Sequence, residues 1–330
     1  MRFKNIFFAA AAAMALTACS SDDEQSFVSQ FPEDGVMRFT TNLVDPTIAT
    51  TRASITGNDL NQNGEQFQVK IVNPASATYS YFNTVQYDGS EWIPLNRMLW
   101  QNDQQMITVT AAYKQGKAFS DYDFVVGANL TVAADQSTEA KLKQQDLLTM
   151  PTKNVHPQID LVNKKLVINF YHALTKLDVT LELKDEFYPA NIQATDITDV
   201  KISGTNAGYQ FKAMETANEN YGTVTVTAST AADILANQYN FTAGTAESKH
   251  STAKYEAIIV PQTIAAGQLT VSFKIGTRSF SWTNTQAYTL EQGKQYTLPL
   301  TVGKDGVTAA PRAFTASNWE NGIGGNLATE

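Results

Sequence analysis

Three observations predict an all-β fold of two tandem β-sandwiches with short connecting helices. Short runs of period-2 alternation recur along the chain. Gly, Asn and Pro separate them at roughly 8–12 residue spacing. One polar interruption near the middle divides the body into two blocks of about 150 residues each. The expected boundaries are 36–185 and 186–330. Hydrophobic residues make up 43% of the 330-residue chain and charged residues 17%. That supports buried cores under a surface with few charges.

The chain opens with Met1-Arg2-Phe3-Lys4, runs through the apolar stretch Ile6 to Ala15, and reaches Leu16-Thr17-Ala18-Cys19. A basic start, an apolar middle too short to span a bilayer and small residues before a cut site read as a signal peptide over residues 1–18. Cys19 is the one cysteine in the sequence, so no internal disulfide is open to it. Leu-Thr-Ala-Cys resembles the lipobox of bacterial lipoproteins, which implies that Cys19 is diacylated and anchors the chain to a membrane without spanning it. Ser20-Ser21-Asp22-Asp23-Glu24-Gln25 follows, and residues 19–35 read as a solvated, lipidated tether. A Ser/Asp-rich run just after such a cysteine resembles the surface-export signal of Bacteroidetes lipoproteins. The implied location is the outer face of the cell outer membrane.

The first strand is expected over residues 36–43, where Met37, Phe39, Thr41 and Leu43 share one parity. Asp45-Pro46 stops it. The segment Thr47 to Ser54 is uncharged apart from Arg52. A trypsin-like protease needs a basic residue in an accessible, extended stretch, and Arg52 before Ala53 meets that need; an ordinary solvated arginine fits the same spacing.

Further strands are expected at Phe67 to Val72, Thr78 to Phe82 and Met106 to Tyr113, with a hairpin at Asp88-Gly89 between Val85-Gln86-Tyr87 and Trp92-Ile93. A short helix suits Ser137 to Gln145. Lys165 to Tyr171 and Lys176 to Leu183 are the strongest strands of the first half, and Asp185 to Asp199 interrupts the pattern. Strands resume at Val200-Lys201-Ile202, Tyr209-Gln210-Phe211, Thr223 to Thr227, Ala257 to Pro261, Leu269 to Ile275, Ser279 to Trp282 and Gln295 to Leu298.

Little in the chain points to chemistry. The net charge of -8 argues against nucleic acid as a partner. His156, His172 and His250 stand far apart and in no ligand spacing, so packing and hydrogen bonding are expected of them. There is no G-x-S-x-G elbow, P-loop or G-x-G-x-x-G. Asp121-Tyr122-Asp123 sets two carboxylates on one strand face, but a solvated face explains them better than calcium. Trp92, Trp100, Trp282 and Trp319 would make a sugar platform only if exposed together; core is the default. The chain is therefore read as having no catalytic, cofactor-binding or metal residues, and not as an enzyme.

Several stretches in this order resemble the fimbrillins, the pilins of Bacteroidetes type V pili: the acidic lipoprotein start, Thr51-Arg52 after a first strand, and Trp92 with Trp100 ahead of Ile107 to Tyr113. To these are added Asp146-Leu147-Leu148, then Phe170-Tyr171-His172-Ala173-Leu174-Thr175-Lys176-Leu177, Tyr296-Thr297-Leu298, and Ser317-Asn318-Trp319-Glu320-Asn321-Gly322. Ala111-Ala112-Tyr113-Lys114 departs from the family's usual Tyr-Pro pair. The resemblance implies transthyretin-like, Greek-key sandwiches and a removable first strand over 36–52. An arginine-specific protease would cut after Arg52, leaving Ala53 as the new N-terminus and discarding Met37, Phe39, Thr41 and Leu43. A strand from another subunit would fill the groove, and the fibres would serve adhesion to host or bacterial surface ligands. The family's usual donor is the C-terminal segment, here Gly306 to Glu330 with Val307, Phe314 and Trp319. Its alternation is poor and Pro311 interrupts it, so it reads either as a donor or as the last edge of the second sandwich. The competing function is a surface lipoprotein that captures glycans beside a nutrient importer, which needs no cut at Arg52.

Overall fold

The computed structural model describes residues 29–44, 55, 57–116, 128–212, 223–227, 231–309 and 314–319. The expected signal peptide, Cys19, most of the tether, Arg52, Ala53 and Asp121 to Asp123 lie outside the described residues. No helix among the described residues is long and apolar enough to cross a membrane.

The fold is all-β. The first body is built from β1 (Phe39–Leu43), β2 (Gln66–Val72), β3 (Tyr81–Tyr87), β4 (Trp92–Pro94) and β5 (Ile107–Lys114). A later strand pair, β7 (Leu147–Val155) and β8 (Leu166–His172), completes it. Hydrogen bonding joins its two layers into one closed barrel in the order β1-β4-β3-β2-β5-β7-β8, with β8 returning to β1. Alternation decides what faces inward. Phe67, Val69 and Ile71 of β2 and Leu166, Ile168 and Phe170 of β8 are buried with Phe39, Trp92, Tyr113 and Leu148 in one apolar core. The β3–β4 hairpin forms as its Asp-Gly signal predicts. The Asp88 carboxylate accepts the Ser90 and Glu91 N–H groups at 2.8 Å, and Gly89 takes φ 101°, where a side chain would strain the backbone. Thr78 and Tyr79, expected at the start of a strand, instead sit in a 3-10 turn over Ala77–Tyr79, and the strand begins at Tyr81.

The second body centres on β9 (Thr175–Leu183), which pairs antiparallel with β15 (Ser251–Ile259) and parallel with β20 (Lys294–Gly303). Its sheet runs β14-β15-β9-β20-β21, where β14 is Asn237–Thr242 and β21 is Gly306–Ala309; β22 (Thr315–Asn318) also pairs with β20. A four-stranded sheet combines β10 (Ile197–Asn206), β13 (Ala231–Leu235), β17 (Thr270–Ile275) and β18 (Arg278–Thr283). Its side chains Ile202, Val271 and Phe273 meet Val179 and Leu181 in the second core. A bulge in β10 is set by Gly204. Its φ is +89°, and an added Cβ would fall 1.8 Å from the Gln268 carbonyl oxygen.

The change from one body to the other falls earlier than the expected boundary at 185–186. Only Ala173 and Leu174 separate β8 in the barrel from β9 in the second sheet. The polar run after Leu183 forms 3-10 turns over Asp185–Ala190 and Ala194–Asp196 inside the second body, between β9 and β10. One element of the first half also crosses over: β6 (Ala128–Thr131) pairs with β11 (Gly208–Lys212), which pairs with β12 (Thr223–Val226). The expected short helix appears over Glu139–Lys143, N-capped by the Thr138 hydroxyl, with Leu142 buried in the second core.

Candidate functional site: the first strand in its slot

The segment 35–44 is bonded on both sides. Toward the β4 side, Trp100 N–H donates to the Gly35 carbonyl at 2.9 Å and Met37 N–H to Met98 at 3.0 Å, and Phe39 pairs with Trp92. Toward β8 the pairing is parallel, from Phe39 with Leu166 to Leu43 with Phe170, extended by Val44 N–H to the Phe170 carbonyl at 2.9 Å. A parallel strand contributed by the start of the chain thus closes the barrel, and without it two ladders would face each other unpaired.

The side chains match the backbone. Met37 and Phe39 are each 1% exposed and Leu43 8%. Phe39 meets Phe67 edge-on at 6.0 Å, and Phe67 in turn meets Trp92 at 4.8 Å and Phe170 at 5.7 Å. Thr41, of the same parity, is only half-buried. It lies at the rim, where its hydroxyl accepts the Trp92 indole N–H at 3.1 Å. Ahead of the strand, Arg38 pairs with Asp34 at 2.6 Å; this holds the Asp34 carboxyl well below the usual carboxylate range, chiefly through the Arg38 hydrogen bond and then that of the Val36 N–H. Beyond the strand, Ile55 is fully buried in the same core.

The C-terminal residues Val307, Phe314 and Trp319 lie along the edge of the second body. Val307 on β21 pairs with Val302, and β22 lies antiparallel to residues 294–297 of the same strand. Phe314 stacks on Tyr288 at 4.2 Å. Trp319 is 5% exposed and lies flat on His172, 4.0 Å between centroids with 2° between planes, with the Lys176 ammonium 5.4 Å from the indole centroid. Within the single chain, this segment therefore lies along the edge of the second body.

The sequence did not reveal the polar setting beneath that edge. His172 Nδ1 lies 2.8 Å from an Asp146 carboxylate oxygen, both side chains fully buried. Lys176 faces Glu256 at 3.5 Å, and Asp178 accepts the Tyr239 hydroxyl at 2.9 Å. A lone carboxylate before the apolar pair Leu147-Leu148, and Lys and Asp alternating inside a strong strand, were the available signals. Buried polar pairs of this kind specify one arrangement of a seam more than they add stability.

His156 takes part in a surface turn, and His250 bridges Glu182 and Asp185 at a partly exposed position. No cluster of metal-ligating side chains is found among the described residues. Trp92, Trp100 and Trp319 are buried and Trp282 packs against the second core, so these tryptophans form no exposed platform for sugar.

Comparison with known proteins agrees with this architecture. A crystal structure of a proposed cell adhesion protein from Bacteroides uniformis is similar over 87% of this chain and 99% of its own, with TM-score 0.55 and 17% identity. A second, from Bacteroides ovatus, is similar over 86% and 97%, with TM-score 0.56 and 14% identity. At these identities the likeness concerns the fold. No curated protein matches the sequence. The fimbrillin-like family matches residues 51–319, a stretch that starts beyond β1 and ends on Trp319. With most of its length so matched, the chain belongs to the fimbrillin-like family, a family of structural proteins rather than enzymes.

Proposed function

We propose that this chain is a fimbrial subunit that polymerises at the cell surface by strand exchange. On this reading it is exported as a lipoprotein on Cys19 and held at the outer membrane. An arginine-specific, trypsin-like protease then cuts between Arg52 and Ala53. The piece carrying β1 leaves, and the C-terminal segment of another pilin subunit, of the same or a related chain, takes the vacated slot. The assembled fibre serves adhesion.

The observation that supports this most is the place of β1. With the residues just before it, β1 precedes Arg52 in sequence, is hydrogen-bonded on both sides, and fills the barrel with Met37, Phe39 and Leu43. Removing it would uncover a groove with apolar walls and two open ladders. Each large apolar side chain taken from water contributes about 1.5–3 kcal/mol, so a replacement strand has a strong driving force. The donor segment, in contrast, is bonded on one side only among its described residues, which makes it the cheaper strand to lift.

The test is proteolysis of purified precursor with a trypsin-like enzyme, followed by N-terminal sequencing and size analysis. The trimmed chain should begin at Ala53 and form oligomers, and Arg52→Ala should abolish both. A trimmed chain that stays monomeric, or oligomers that form equally well from Arg52→Ala, would sink the reading.

A further inference from the structure

Exposed apolar side chains gather toward the end of the barrel at which β1 begins. Val72 closes β2 and pairs with Thr108, close to Met106 just ahead of β5. Phe82, the second residue of β3, pairs with Lys70 near that end, and Leu95 leaves β4 with its N–H bonded to the Thr84 carbonyl. Ile159 and Val162 lie in the β7–β8 connection, which leads into Leu166, the partner of Phe39. Leu95 is 58% exposed and Phe82 48%. An apolar surface grouped in this way marks a binding surface.

The incoming chain reaches the barrel at this same end. Phe31 packs against the barrel core, Glu33 pairs with Lys164 of the β7–β8 connection at 3.3 Å, and Val36 bridges to Leu99. Phe31 stands only twelve positions after Cys19. A chain of that length spans roughly 40 Å at full extension and averages about 20 Å as a coil. Lipid on Cys19 would therefore keep this end of the barrel, and not the second body, next to the bilayer.

We propose that in the uncut chain this end of the barrel docks on the bilayer that holds Cys19, with Phe82 and Leu95 reaching the boundary between headgroups and acyl chains. The inference rests on the lipid-anchor part of the reading above and adds a second attachment to it. Tethering holds the surface at high effective concentration over the lipid, so contacts too weak to bind alone become occupied. A single acyl chain gives marginal membrane binding, and a second signal makes it stable. At this end Lys164 pairs with Glu33 and Arg38 with Asp34, so apolar contact rather than net charge supplies the attraction. A cut after Arg52 would sever the tether, and the contact would end with it.

The test uses the chain beginning at Cys19 with one alkyl chain coupled to its thiol, and measures partition onto vesicles of neutral phosphatidylcholine. Phe82→Ser/Leu95→Ser should weaken partition by about tenfold, since two large side chains lose their place in the lipid. Met106→Gln/Ile159→Thr decides the matter if the first pair lowers the melting temperature. Tyr188→Ser, which removes an exposed apolar side chain from the second body, should leave partition unchanged. Equal partition of parent and folded barrel variants, or an equal loss with Tyr188→Ser, overturns the proposal and leaves the lipid anchor intact. A dimer of the unacylated chain that forms without vesicles and is lost in the barrel variant assigns the surface to a second copy instead. If mass spectrometry of the chain taken from cells finds no acyl group on Cys19, the anchor fails and the docking surface fails with it.

Discussion

Each body is completed by a strand from one end of the chain, but the two strands are held differently. β1 and the residues just before it sit in the interior of a closed sheet, with a ladder on each side and Met37, Phe39 and Leu43 in the core. The β21–β22 segment lies on an open edge, with one ladder and one deeply buried anchor, Trp319. An interior strand is costly to leave out and an edge strand is not. Under the proposed strand exchange, that asymmetry would suit the first body to receive a strand and the second to give one.

The sharpest way to break the comparison is Phe39→Ala in the uncut chain. Phe39 is fully enclosed, and the loss should be about 4 kcal/mol, within the range for large-to-small changes in a core. It should be confined to the barrel, so hydrogen exchange should rise in β8 and β4 before it rises in β9. Equal loss of protection in both bodies would show that the strands are not independent closures.

Trp319→Ala should cost somewhat less, about 3 kcal/mol, by removing the stack on His172. Amide protection should fall at Thr315 to Asn318 and stay unchanged at Phe39 to Leu43. A matching fall at β1 would mean that the two strands are coupled through β8, which carries both His172 and the partners of β1.

Tyr113→Phe tests the barrel wall away from the slot. The Tyr113 hydroxyl donates to Glu65 at 2.8 Å, and burial, reinforced by that carboxylate, pushes its ionisation well above the ordinary range. The substitution should cost about 1 kcal/mol by denaturant midpoint. In the parent, this phenol should stay protonated at pH values where exposed tyrosines have ionised.

The smallest effect belongs to Asp34→Asn. The Asp34 carboxyl titrates lower in the folded chain than in the unfolded one, so its contribution is present above the unfolded value, about 3.9, and fades as pH falls below it. Denaturant midpoints of parent and variant should differ slightly and equally at pH 7 and 5, and the difference should shrink as pH falls below about 4 toward the carboxyl's lowered folded value. The pair is solvent-exposed, which keeps the difference near the limit of detection.

What the sequence made legible was local. Residues 36–43, Phe67 to Val72 and Lys165 to Tyr171 alternate cleanly, and each holds a strand, the first only from Phe39, whose buried residues come from the apolar parity. Which strands pair is a long-range matter, so nothing in residues 36–43 specifies a parallel partner at 166–170. The junction was misplaced because a two-residue link, Ala173-Leu174, carries no breaker, whereas the polar run after Leu183 is only a detour within the second body. β22 was missed because Thr315 to Asn318 has no apolar alternation; its anchor, Trp319, lies just past the strand. The slot was the better-read part of the site, since Met37, Phe39 and Leu43 were identified by parity alone, while the buried Asp146–His172 pair under Trp319 had to be seen in three dimensions.

The parallel pairing of β9 with β20 has a mechanical consequence. In a fibre, tension would enter β9 at Thr175 from the barrel and leave through Gly303 at the opposite end of β20. The two strands would then be pulled apart along their length, so the eight residue pairs from Gln295–Lys176 to Val302–Leu183 share the load in shear. A strand seated in the slot parallel to β8 would be loaded in the same way. Such a filament resists by breaking many bonds at once rather than peeling one at a time.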